Sequence, residues 1–159
     1  MKRRFEEAKN LLVGTIGEPG EREFYLQFFN ENAALSFLIE KQQVAALVDR
    51  LNLILKDLKS RGISFAQHPL PNLELPLISE FVISEISISW SLDLKRVLID
   101  LSDEDRANQV EVFITADNVT SFIKLALSVI SAGRAICPFC ALPINRDGHL
   151  CPRANGYRR

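Results

Sequence analysis

The sequence predicts an α+β fold: two strand-strand-strand-helix (βββα) repeats form a pseudo-twofold antiparallel sheet with two helices, and a small C-terminal zinc knuckle follows. Two amphipathic helical patterns begin 75 positions apart, at Lys41 and Ala116, and each follows strand-like segments. All three cysteines fall near the C-terminus. We therefore expect a duplicated body over residues 1–133 and a zinc-binding segment over residues 134–159.

Composition and charge exclude several classes of protein. Of the 159 residues, 47% are hydrophobic and 25% are charged, as in an ordinary globular domain, and the net charge of -1 argues against a strongly basic nucleic-acid binder. No apolar run is long enough for a transmembrane helix, and the N-terminus lacks the apolar stretch of a secretory signal. We therefore expect a cytoplasmic protein without membrane contact. Residues 134–159 carry five arginines and one aspartate, a net charge of +4, whereas residues 1–133 have a net charge of -5.

The first repeat is expected over residues 5–62. Strand-like segments precede an amphipathic helix over residues 41–59, which Gly62 ends. The apolar positions of this helix follow an i, i+3, i+4, i+7 spacing: Val44, Leu47, Val48, Leu51, Leu55 and Leu58. A stiff, proline-rich connector follows over residues 63–80. It carries His68, which we expect to be a surface residue.

The second repeat is expected over residues 81–133. Its first strand alternates apolar residues with serines, as a half-buried strand does: the apolar residues are Ile86, Ile88 and Trp90. Thr115 is a suitable N-cap for the second helix, residues 116–132. This helix is apolar on nearly all sides, because Leu125 and Leu127 lie off its main stripe. We expect a second cover for it, either the C-terminal segment or a second copy of the chain.

The strongest chemical signal is a C-x2-C-x8-H-x-C pattern formed by Cys137, Cys140, His149 and Cys151. Two thiolates at i and i+3 bind one ion from the same side, and the imidazole and third thiolate complete a tetrahedron. Sulfur and imidazole ligands favour zinc over magnesium or calcium. A disulfide with one spare cysteine is the alternative, but the odd count and the missing export signal argue against it. Four protein ligands leave no open position, so we expect a structural zinc.

Several motifs resemble those of one known family. They are GTIGEPG at residues 14–20, EKQQV at 40–44, CPFC at 137–140 and GHLCPRANGY at 148–157. Together they resemble the domain-of-unknown-function 3090 family of bacterial proteins over nearly the whole chain. Ala141 stands where that family usually has glycine, which changes no ligand. The family has no established activity.

The resemblance implies that the loop at residues 14–20 and the tail after Cys151 matter beyond packing. We expect one of the two to contact a partner. The candidate residues are Gly17 and Glu18 in the loop, and Arg153, Asn155 and Tyr157 in the tail. We expect this partner to be a protein.

The sequence therefore predicts a zinc-binding interaction or regulatory module without a catalytic set. No Ser-His-acid or Cys-His pair can be assembled once the cysteines and His149 bind metal. One alternative is a single-stranded nucleic-acid-binding protein, in which C-terminal arginines contact phosphates and aromatic side chains stack on bases. Its candidate aromatic residues are Tyr25, Phe28, Phe29 and Trp90. A second alternative is an enzyme with a pocket at the Gly14–Gly20 loop and His68 or an acid as base.

Overall fold

Eight strands and two helices make up the part of the chain that the structure describes. The computed structural model describes residues 1–18, 20–31 and 33–132. In chain order the elements are β1 (Lys2–Phe5), β2 (Lys9–Ile16), β3 (Glu23–Asn30), β4 (Ala33–Ile39), α1 (Lys41–Ser60), β5 (Ser79–Val82), β6 (Glu85–Ser91), β7 (Arg96–Ser102), β8 (Gln109–Ile114) and α2 (Ala116–Ser131). Neither helix in these ranges is long and apolar enough to cross a membrane.

The strands form two four-stranded sheets, which corrects the prediction of one antiparallel sheet. The N-terminal sheet has the order β2-β3-β4-β5, and the C-terminal sheet has the order β1-β8-β7-β6. In each sheet, three strands pair antiparallel with one another. The remaining strand lies at the edge and runs parallel to its neighbour: β5 in the N-terminal sheet and β1 in the C-terminal sheet. The sequence did not reveal these edge strands, because four residues are too few to show a strand period.

Each half of the chain supplies an edge strand to the sheet of the other half. β1 precedes β2 in sequence but pairs with β8, and β5 precedes β6 but pairs with β4. The two parallel pairs also have equivalent registers. Arg4 lies opposite Glu111, and Ser79 lies opposite Ser36. Ser79 follows Arg4 by 75 positions, and Glu111 follows Ser36 by the same 75 positions. This arrangement fits the predicted pseudo-twofold relation, while duplication of the sequence itself stays a prediction.

One continuous apolar core joins both sheets and both helices. Ring contacts cross from one sheet to the other, since Phe5 of β1 lies 5.3 Å from Phe28 of β3 between ring centroids. Phe28 stacks on Phe37 of β4 at 5.9 Å, and Phe37 meets Phe81 of β5 edge-on at 5.0 Å. The helices pack against each other, and α2 also lies against β2. Burial of these shared apolar surfaces holds the two halves together.

The connector between α1 and β5 is fastened to the outer face of the N-terminal sheet. Gln27 of β3 is fully buried, and its side-chain amide donates to Ser36 Oγ at 2.9 Å and to the backbone oxygen of Glu74 at 3.1 Å. The backbone nitrogen of Glu74 donates in return to Gln27 Oε1 at 2.8 Å. A buried amide is stable only when such partners are present. The connector therefore belongs to the folded body.

Candidate functional site

The predicted zinc ligands and tail residues lie outside the described residues. They are Cys137, Cys140, His149, Cys151, Arg153, Asn155 and Tyr157. Within the described ranges no group of three or more His, Cys, Asp or Glu side chains is placed to hold a metal ion. Zinc binding therefore stays a prediction from the sequence.

The loop that includes Gly17 and Glu18 forms the turn of the β2–β3 hairpin. Gly17 and Gly20 have φ values of +108° and +92°, in the left-handed region that favours glycine. The backbone nitrogen of Glu21 donates to the backbone oxygen of Glu18 at 2.9 Å and closes the turn. Glu18 is exposed. The cavities described below are lined by other residues, so a partner or substrate at this loop stays a prediction.

Gly14 lies in strand β2 rather than in the loop. Close packing against the connector accounts for a glycine at this position. A Cβ atom at this position would lie 2.4 Å from Cδ1 of Leu73 in the connector. Such an approach is far inside van der Waals contact, so any larger residue would displace Leu73. The glycine therefore lets the connector pack on the sheet.

The connector also places His68 beside α2. The backbone nitrogen of His68 donates to Ser121 Oγ at 2.8 Å, and the imidazole Nδ1 lies 3.5 Å from the same oxygen. Both residues line an open cavity of about 490 Å³ that Lys124 and Leu125 also border. His68 forms no ion pair with a carboxylate within the described ranges, although it also lines a second cavity together with Glu7. The contact serves to fasten the connector to α2.

A cleft of about 600 Å³ lies between α1 and α2. We name it the lysine cleft, and its lining residues are Asn52, Leu55, Lys56, Lys59, Phe65, Gln67, Thr120, Ile123, Lys124 and Leu127. Four of these residues, Leu55, Phe65, Ile123 and Leu127, come from both helices and the connector, and we call them the apolar floor. Leu127 keeps 53% of its surface exposed, although it lies on the helix for which the sequence predicts a second cover. The described residues do not supply that cover.

The charge of the lysine cleft is positive throughout. Lys56 and Lys59 project from α1 and Lys124 from α2, and no carboxylate among the described residues lines the cleft. Lys59 Nζ lies 5.6 Å from the ring centroid of Phe65, which orients this ammonium group over the apolar floor. None of the three lysines forms an ion pair within the described part of the chain. The cleft can therefore attract acidic groups and bury apolar ones at the same place.

The sequence alone did not connect Lys56 and Lys59 of α1 with Lys124 of α2. The i, i+3 spacing of the first two shows that they share a helix face. Their proximity to Lys124 depends on how two helices that start 75 positions apart pack together. No local pattern contains this information.

The two helix starts differ in how their side-chain amides are bonded. Gln43 of α1 accepts a hydrogen bond from the backbone nitrogen of Glu40 at 2.8 Å and donates to the oxygen of Ile83 at 3.1 Å, in the β5–β6 crossover. Its counterpart on α2 is Asn118, which is one methylene shorter. Asn118 Nδ2 reaches only Thr115 Oγ1, at 3.0 Å, and its buried Oδ1 has no partner among the described residues. A cavity of about 430 Å³ lies beside it, at the β1–β2 crossover.

The aromatic residues of the nucleic-acid alternative do not form one exposed platform. Phe28 is fully buried in the core, so its assignment as a base-stacking residue is wrong. Tyr25, Phe29 and Trp90 are half-buried. Tyr25 and Phe29 lie on the N-terminal sheet, whereas Trp90 lies on the C-terminal sheet.

Across the described part of the chain, these features define an α+β body of two four-stranded sheets with exchanged edge strands, two helices and a lysine cleft between the helices. The family described as Protein of unknown function (DUF3090) matches residues 3–151, and the chain belongs to this family. A search of curated proteins and a search of solved structures each find no match to the chain.

Proposed function

We propose that the protein is a cytoplasmic zinc-binding interaction module. The α+β body is the scaffold, the lysine cleft is its interaction surface, and the C-terminal segment binds one structural zinc ion. The observation that carries the interaction part of this proposal is the cleft, because apolar side chains bordered by lysines without ion pairs in the described part of the chain are suited to a partner. The partner is a protein.

The four zinc ligands are Cys137, Cys140, His149 and Cys151. Three thiolates and one imidazole satisfy a tetrahedral zinc ion without an open position, so the metal contributes folding energy rather than reactivity. Thiolate ligands persist in a reducing compartment, which is consistent with a cytoplasmic protein. The range matched by the family includes all four positions.

Metal analysis of the full-length protein tests the zinc proposal. We expect one zinc ion per chain. When cobalt replaces the zinc, the protein should show the absorption bands of tetrahedral thiolate coordination. The chain contains two histidines, which provide a matched pair of variants. His149→Gln should lose zinc to a chelator much faster than the wild type, whereas His68→Gln should retain it. Equal retention by both variants, or purified protein without zinc, would contradict the proposal.

A further inference from the structure

We propose that the lysine cleft binds an acidic amphipathic helix of a partner protein. This inference rests on the proposed interaction function and specifies the chemistry of the partner. The lysines lie on both walls of the cleft, two on α1 and one on α2, with the apolar floor between them. A partner that matches this pattern carries an apolar stripe with acidic residues along both sides of it. A helix with apolar residues at i, i+3, i+4 and i+7 and flanking glutamates has this arrangement.

The floor of the cleft provides the apolar part of the interaction. Leu55 and Ile123 are buried and Phe65 is half-buried, whereas Leu127 is 53% exposed, so Phe65 and Leu127 offer the accessible apolar surface of the floor. An apolar side chain placed on Leu127 would therefore remove surface from water on both partners. The aliphatic stems of the lysines extend this surface, while their ammonium groups remain available to carboxylates.

Charge argues against the C-terminal segment of the same chain as the occupant. Residues 134–159 have a net charge of +4, and they remain positive with one zinc ion and three thiolates bound. This segment would therefore be repelled by Lys56, Lys59 and Lys124. An acidic helix can place carboxylates against the lysines of both walls at once.

The test uses the full-length, zinc-loaded protein and a synthetic peptide of about 16 residues with leucines at i, i+3, i+4 and i+7 and glutamates on both sides. We expect saturable binding by fluorescence anisotropy, and amide shift changes centred on Lys124 and Leu127 in NMR spectra. A scrambled peptide of the same composition should not bind. Raising the salt concentration from about 0.05 M to about 0.5 M should weaken binding several-fold, because exposed charges are screened.

Two matched pairs of variants separate charge from apolar contact. Lys56→Glu combined with Lys124→Glu should weaken peptide binding at least about tenfold, whereas Lys9→Glu combined with Lys95→Glu makes the same charge change outside the cleft and should alter it little. Leu127→Ser should weaken binding.

Leu53→Ser is the control for the apolar contact. Leu53 is 68% exposed on α1 and does not line the cleft, so its replacement should leave peptide binding unchanged. Circular dichroism establishes that each variant is folded.

Three results would overturn the inference. They are no binding, equal binding of the scrambled peptide, and self-association of the protein that Leu127→Ser abolishes, since a second copy would then occupy the cleft. Zinc content measured in the same samples separates the two proposals. A zinc-loaded protein that does not bind the peptide would contradict the cleft inference but not the zinc proposal.

Discussion

Replacing Gln27 with alanine should release the connector from the N-terminal sheet. The side-chain amide makes three hydrogen bonds of 2.8–3.1 Å, to Ser36 Oγ and to the backbone nitrogen and oxygen of Glu74. Each contributes about 1 kcal/mol net, so we expect the free energy of unfolding to fall by about 3 kcal/mol. The buried hydroxyl of Ser36 also loses a hydrogen-bond donor, and the shorter side chain leaves a space in a packed region. Both effects lower the stability further.

Urea unfolding followed by circular dichroism measures this loss by linear extrapolation. Gln42→Ala is the matched control, because Gln42 is exposed on α1, and it should change stability by less than about 0.5 kcal/mol. Hydrogen exchange at the Glu74 amide should accelerate in Gln27→Ala, since its acceptor is removed. A loss below about 1 kcal/mol, or an unchanged exchange rate at Glu74, would refute the view that Gln27 holds the connector.

Two further predictions concern packing and the unequal helix starts. Gly14→Ala should cost about 1–3 kcal/mol, because its Cβ would overlap Leu73, and adding Leu73→Ala should remove much of that cost. Urea unfolding of the single and double variants measures the coupling, and strictly additive losses would contradict the proposed overlap. Asn118→Gln should raise stability by about 1 kcal/mol, because the longer amide can reach the β1–β2 crossover as its counterpart on α1 reaches the other crossover. Thermal unfolding tests this change, and an unchanged or lower melting temperature would count against it.

Elements with a strong local period were predictable from the sequence. The helix predicted over residues 41–59 is Lys41–Ser60, and the helix predicted over 116–132 is Ala116–Ser131. Every turn of an amphipathic helix repeats the apolar signal, so its extent is well determined. The edge strands β1 and β5 have four residues each, and their partners are strands of the other half. Their pairing is a non-local property that no sequence period records.

The buried amide of Gln27 shows a second limit of sequence reasoning. Gln27 occupies a position in β3 whose neighbours Leu26 and Phe28 are core residues, so its polar side chain reads as the solvent-facing member of an alternating strand. The structure buries it, because the connector crosses that face and supplies hydrogen-bond partners from Glu74. Such burial becomes visible only when the path of a distant segment is known.

The exchange of edge strands links the fold to the proposed function. Each half supplies the edge strand of the other half's sheet, so each four-stranded sheet contains residues of both halves. The lysine cleft has the same dependence, because one wall is α1 of the first half and the other is α2 of the second half. The two helices contribute different groups to it: α1 supplies Lys56 and Lys59, whereas α2 supplies Lys124 and the exposed Leu127. Packing the two helices together places lysines on two walls of one cleft, an arrangement that neither helix would provide alone.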